Sequence, residues 1–114
     1  MKTIHRWILI AVMPLVILFS HLVYAAESMH FSTGVYEGDL LVLRGVNFTP
    51  FGSVEIEITD PQNGTLNYIE SANEKGSIEI NLVASDSGTY KASVISGSES
   101  EVVAYVDVFS IDGD

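Results

Sequence analysis

The chain has 114 residues, no cysteine and a formal net charge of −10, from 15 acidic residues against five lysines and arginines. So acidic a chain lacks the basic footprint that phosphate backbones require, which excludes nucleic acid and anionic lipid as binding targets. Without thiols it has no disulfide staples, no thiol catalysis and no Cys-based zinc or blue-copper site.

Residues 1–25 stand apart from the rest. Lys2, His5 and Arg6 form a basic start, and Trp7 to Tyr24 is almost wholly apolar, interrupted by Pro14, Ser20 and His21. Val23-Tyr24-Ala25 then offers a cut before Ala26, the layout of a secretory signal peptide with its hydrophobic helix. An apolar run of about 18 residues also reaches the lower limit for a membrane span, so a retained anchor helix is the alternative. In both cases the basic flank places the following residues outside the cytoplasm. The expectation is an extracellular or cell-surface protein, attached to a membrane only if residues 1–25 are kept. Residues 26–114 then carry three cations, Arg44, Lys75 and Lys91, against all 15 acids, a net charge of −12. They suit one small domain, expected over residues 26–110, followed by an acidic tail at 111–114.

From Ala26 onward the dominant period is two. A short strand around Met29 to Phe31 opens the domain. Tyr36-Glu37-Gly38-Asp39 reads as a turn feeding a strand from Leu40 to Val46. Ser53 to Thr59 is the clearest run, because Val54, Ile56 and Ile58 alternate with Glu55, Glu57 and Thr59, the mark of a half-buried strand. Asp60-Pro61-Gln62-Asn63-Gly64 ends it, since Pro cannot continue a central ladder and Asn-Gly favours a tight turn. Leu66 to Glu70 returns as a short strand, and Ala72 to Gly76 is the next turn. Ser77 to Val83 repeats the alternation, with Ile78, Ile80 and Leu82 inward. Tyr90, Ala92 and Val94 share one face of the following strand. After a turn at Gly97 to Glu99, Val102, Ala104, Val106 and Val108 line one side of the last. Seven short strands without a helical period predict an all-β sandwich or barrel. Ser110 to Asp114 is expected to fray.

Two segments carry a resemblance. Asp86-Ser87-Gly88-Thr89-Tyr90 is similar to the tyrosine corner of immunoglobulin-like domains, in which a Tyr hydroxyl bonds back to nearby backbone. The second framework Cys of that family falls two residues after the Tyr, and Ala92 stands there. Tyr36-Glu37-Gly38-Asp39, then Leu41-x-Leu43-x-Gly45, then Val54-x-Ile56-x-Ile58-x-Asp60-Pro61-x-x-Gly64, resembles immunoglobulin-like domains of archaeal and bacterial extracellular surface proteins. The resemblance spans Val35 to Val108. It implies a single seven-stranded immunoglobulin-like β-sandwich behind the N-terminal hydrophobic segment, with Asp86, Gly88 and Tyr90 as its structural corner. No Cys pair and no Trp after residue 25 set it apart from vertebrate antigen-receptor relatives. A scaffold of this kind hosts many functions and names none.

The residues that carry chemistry are few. His30 is the only His after residue 25, so no His-rich metal site can form. Glu37, Asp39, Asp60 and Asp86 sit in turns and are the weak candidates for calcium, which favours loop oxygens. Their spacing is not that of an EF-hand loop, and turn capping by Asp explains them equally. Glu55 and Glu57 share a flat sheet face, which offers no cleft to split their pKa values for acid–base work. The serines have no nucleophile-elbow context and no His beside them. Asn47-Phe48-Thr49 and Asn63-Gly64-Thr65 match the N-glycosylation acceptor pattern on loops, with Pro50 directly after the first.

Apolar residues on the outward parity complete the reading. With Leu41 and Leu43 inward, Leu40 and Val42 point out. With Val102, Ala104 and Val106 inward, Val103 and Tyr105 point out, with Ile95 nearby. Exposed apolar patches on a sheet mark partner surfaces. The sequence therefore predicts an exported, non-catalytic surface module that contacts other surface proteins or copies of itself, with no cofactor. The alternative is an extracellular binding module for calcium, a glycan or a larger membrane or surface complex.

Overall fold

The computed structural model describes residues 26–96 and 101–112, so the segment at 1–25 and its signal or anchor reading lie outside the described residues. Seven strands follow in order: β1 (Ser28–Phe31), β2 (Leu40–Val46), β3 (Ser53–Thr59), β4 (Thr65–Ser71), β5 (Ile78–Val83), β6 (Gly88–Val94) and β7 (Val103–Val108). They form two antiparallel sheets, one of three strands ordered β1-β2-β5 and one of four strands ordered β4-β3-β6-β7. The fold is all-β and sandwich-like.

The alternation seen in the sequence becomes the inner lining of both sheets. Leu41, Leu43, Ile78 and Ile80 from the smaller sheet meet Val54, Ile56, Ile58, Tyr90, Ala92 and Ala104 from the larger, all buried. Met29 and Phe31 close the β1 side, and Leu82, Val94 and Val106 pack against the margin. Every strand and the whole core cluster fall within residues 28–108, so this stretch carries a complete two-layer core of its own. Burying such side chains contributes about 1.5–3 kcal/mol each.

Close approach sets Gly45 in the middle of this packing. A Cβ there would stand 2.7 Å from both Ile78 Cγ1 and Phe48 Cε2. The absence of a side chain lets Phe48 cap the top of the core, where it is buried.

Strand limits differ from the sequence reading by a residue. β4 runs one residue further at each end than Leu66 to Glu70, β5 begins at Ile78, and β7 begins at Val103. Gly88 opens β6, so the turn before that strand is shorter than Asp86 to Tyr90. Ser110 and Ile111, expected to fray, are held instead. The Ser110 hydroxyl and the Ile111 amide both donate to Glu37 Oε1, at 3.3 and 3.0 Å.

The two sheets are joined on one side by a crossing segment. After β1 the chain leaves the smaller sheet and Tyr36 makes an isolated parallel bridge to Phe109. The Glu37 amide donates to the Phe109 carbonyl at 2.8 Å, and the Phe109 amide donates to Val35 at 2.9 Å. The Tyr36 and Phe109 rings sit 5.5 Å apart, tilted by 44°. The same turn reaches β5, since the Gly38 amide donates to Ala84 and the Ala84 amide to Asp39.

Candidate functional site

At the base of β6, Tyr90 is buried and its ring lies in the core. Its hydroxyl accepts a bond from the Asp86 amide and donates to the Asp86 carbonyl, both at 3.2 Å. Gly88 has a φ of +122°, a region that side chains avoid, and a Cβ there would stand 2.8 Å from Pro61 Cβ. The corner is thus packed against the β3–β4 turn. Between them lies an open depression of about 540 Å³, lined among others by Asp60, Asn63, Ser87 and Lys91. It is too open to strip water from a bound group.

The turn carboxylates each have a local task or stand apart. Asp60 Oδ1 accepts the amides of Gln62 and Gly64 at 2.9 and 2.8 Å, closing its own turn. Glu37 holds the C-terminal segment. Asp39 and Asp86 contribute backbone groups to the loop bonds given above. Among the described residues, no three of His, Asp or Glu come together in a group able to hold a metal ion.

The two acceptor asparagines sit on exposed turns in the left-handed region, each with a φ of 68°. The Asn47 amide donates to the Ala26 carbonyl at 3.1 Å, which ties the start of the described chain to the β2–β3 loop. Asn63 occupies the tight turn capped by Asp60, and its own amide donates to the Asp60 carbonyl at 3.0 Å.

The outward apolar residues divide between two opposite faces. Leu40 and Val42 lie on the outer face of the smaller sheet, where Leu40 pairs across the strands with Val83 and both are exposed. Val103 and Tyr105 lie on the outer face of the larger sheet, opposite Ser93 and Lys91. Ile95 follows β6 on that same parity, its amide bonded to the Glu55 carbonyl. Val42 and Val103 are half-buried, whereas Leu40, Tyr105 and Ile95 are exposed. The Lys91 ammonium lies 6.0 Å from the centre of the Tyr105 ring, at the outer limit of a cation–π contact. Glu55 and Glu57 stand on the same face, half-buried between neighbouring strands.

Sequence reasoning read β4 as a short strand but passed over its exposed apolar side chains. It is an edge strand, bonded on one side only, to β3. Leu66 is 61% exposed and Ile69 is 69% exposed, on opposite faces of the strand. The signal was present: Leu66 and Tyr68 obey one parity and Ile69 breaks it. Phe51 was also passed over. It is 75% exposed and has a φ of 62°, at the third position of a Thr49-Pro50-Phe51-Gly52 turn closed by the Gly52 amide on the Thr49 carbonyl.

No protein-family description and no curated protein matches the chain. Its function must therefore be argued from the geometry. Among the described residues no charged residue is buried, and the buried Tyr90 hydroxyl is engaged with the Asp86 backbone. What the surface offers is apolar side chains on both sheet faces and open strand edges, β4 among them.

Proposed function

We propose that the chain is an exported, non-catalytic immunoglobulin-like module that works at the cell surface by contact with other proteins. The observation that carries this reading is the apolar surface. Eleven large hydrophobic residues are exposed among the described residues. Single exposed leucines are ordinary, but here Leu40 with Val83 and Tyr36 with Phe109 form adjacent pairs. Adjacent exposed apolar side chains are among the features of protein-contact surfaces.

The immunoglobulin-like part of the reading is supported by the Tyr90 hydroxyl returning to Asp86 and by the strand order. β1, β2 and β5 match the A, B and E strands, and β3, β6 and β7 match C, F and G. β4 lies beside β3, as the C′ strand does in variable-type domains, and away from the position of the D strand. The non-catalytic part is supported by the acids, none of which is buried among the described residues, and by the single, exposed His30 of the described domain. The export part rests on the apolar run of residues 7–24.

A photo-crosslinking amino acid at Val83 or Tyr105, in cells that display the protein, tests the reading. Discrete adducts from these positions and none from Glu79 are expected. Equal labelling from Glu79, or no adduct at any apolar position, removes the contact reading.

A further inference from the structure

We propose that β4 is a self-recognition edge, where two copies of this chain pair their Thr65–Ser71 strands antiparallel about a dyad at Asn67. The two four-stranded sheets then become one sheet of eight strands. This names the site and the partner for the protein-contact reading above, and rests on it.

The backbone comes first. The β3–β4 ladder is flanked by two observed bonds, from the Asp60 amide to the Gly64 carbonyl at one end and from the Ala72 amide to the Gly52 carbonyl at the other. In an antiparallel ladder the bonded residues alternate. Gly64, Leu66, Tyr68, Glu70 and Ala72 therefore direct their backbone groups at β3. Thr65, Asn67, Ile69 and Ser71 direct theirs away from the sheet, at the open edge.

Natural edges are blunted by lysine, proline, bulges or shortness. β4 has none of these, and of the charges that also blunt an edge it has only Glu70, on the core-side parity opposite Val54. It is seven residues long, its register with β3 is unbroken, and it holds no Lys, Arg or Pro. The opposite edge of the larger sheet carries the Tyr36–Phe109 bridge just past the end of β7, and β7 holds the charged Asp107. In the smaller sheet, β1 is only four residues long, and β5, also an edge strand, presents the polar Glu79 and Asn81 on its outer face. β4 alone shows large apolar side chains on both faces.

The side chains then choose the register. With Asn67 on the dyad, the odd residues face one another as bonded pairs, Asn67 with Asn67 and Thr65 with Ile69. On the core side, Leu66 of one copy lies opposite Tyr68 of the other, twice over. Aliphatic–aromatic pairs of this kind are the favourable units of sheet pairing. The strand's one charge, Glu70, falls opposite Gly64 of the other copy. A dyad at Tyr68 also satisfies the backbone, but it sets Leu66 against Glu70. Of these two arrangements, the first is the one in which the sequence complements itself.

Charge supplies the signature of this partner. Two copies at −12 each repel, so salt must strengthen the pairing by screening. A basic foreign strand at the same edge would be weakened by salt.

Sedimentation equilibrium of residues 26–114 tests the proposal. The expected result is a dimer whose dissociation constant falls as salt is raised. Asn67→Pro removes the two central donors of the dimer, whereas in the single copy that N–H faces solvent. It should weaken pairing by at least about tenfold and leave the fold intact by circular dichroism. Leu66→Lys gives the same weakening through the side chain if Asn67→Pro disturbs the strand. Asn67→Cys alone should cross-link on oxidation, while Thr65→Cys should cross-link only when mixed with Ile69→Cys. A monomer at every concentration and salt, an Asn67→Pro dimer as tight as the parent, or faster cross-linking by Tyr68→Cys overturns the proposal. If the chain is monomeric yet gives discrete adducts at Tyr105 on cells, the edge pairing is wrong and the contact reading stands. If neither is seen, both are wrong.

Discussion

The Tyr90 hydroxyl lies 3.2 Å from both the amide nitrogen and the carbonyl oxygen of Asp86, accepting from one and donating to the other. A single oxygen thereby satisfies two backbone groups at the point where the chain re-enters the larger sheet. The ring below it is buried, so the bond anchors the loop to the core. With no disulfide between the sheets, this loop depends on that oxygen. Tyr90→Phe removes the hydroxyl and keeps the ring, leaving the two Asp86 groups without their partner. Equilibrium urea unfolding should show a loss of about 1 kcal/mol, and of up to about 3 if the loop cannot rehydrate. An unchanged midpoint would mean that the bond contributes nothing.

Gly88 tests the same corner from the backbone side. At φ +122° a Cβ is strained wherever it points, and here it would meet Pro61 at 2.8 Å. Gly88→Ala should cost about 1–3 kcal/mol. Pro61→Gly in the Gly88→Ala background should recover the part due to contact and leave the part due to φ. Full additivity of the two substitutions would show that the two turns do not touch in solution.

Phe51 is strained in the opposite sense, because its side chain brings no compensating burial. A bulky L-residue in the left-handed region costs about 1–2 kcal/mol relative to one that adopts it freely, and this ring is 75% exposed. Phe51→Gly should therefore raise the stability of residues 26–114 by several tenths to about 1 kcal/mol, since glycine also loses more chain entropy on folding. Loss of stability on this substitution would mean that the ring packs against something in solution.

The charge imbalance predicts a response to salt in the single copy as well. Residues 26–114 hold three cations and 15 acids. The Arg44–Glu79 ion pair, at 3.1 Å, is exposed on both sides and contributes little. Repulsion dominates, so sodium chloride should raise the melting temperature of the Asn67→Pro variant, in which pairing is removed. A melting temperature that falls with salt would show that attractive pairs outweigh repulsion.

The sheet-forming segments were legible because burial on one face imposes alternation. Ser53 to Thr59 was expected as a strand and is one, and its inward residues are Val54, Ile56 and Ile58 as the pattern required. The sequence could not show that β4 would join β3 in the larger sheet, because period two says which face is inward and nothing about which neighbour is alongside. The turn at Thr49-Pro50-Phe51-Gly52 was hidden for another reason. Its third position favours Gly or Asn, and Phe is forced there by bonds on either side, from the Phe51 amide to Asn73 and from the Ala72 amide to Gly52. The tether from Glu37 to Ile111 joins residues 74 positions apart, a distance no local pattern spans. Of the outward apolar residues, the parity of Leu40 and Tyr105 could be read. Their assignment to opposite faces followed only from the pairing of strands.

The two ends of the described chain leave the domain in opposite directions. Ala26 is tied beside the end of β2 by Asn47, whereas Ile111 is tied to Glu37 in the turn that precedes the start of β2. A pull between these ends runs along the strands. The bonds of Val35 and Glu37 with Phe109 lie across that pull and resist it together. They would be loaded in shear and would have to slide as a set before the strands part, which makes the Tyr36–Phe109 crossing the set of bonds that such a pull meets first.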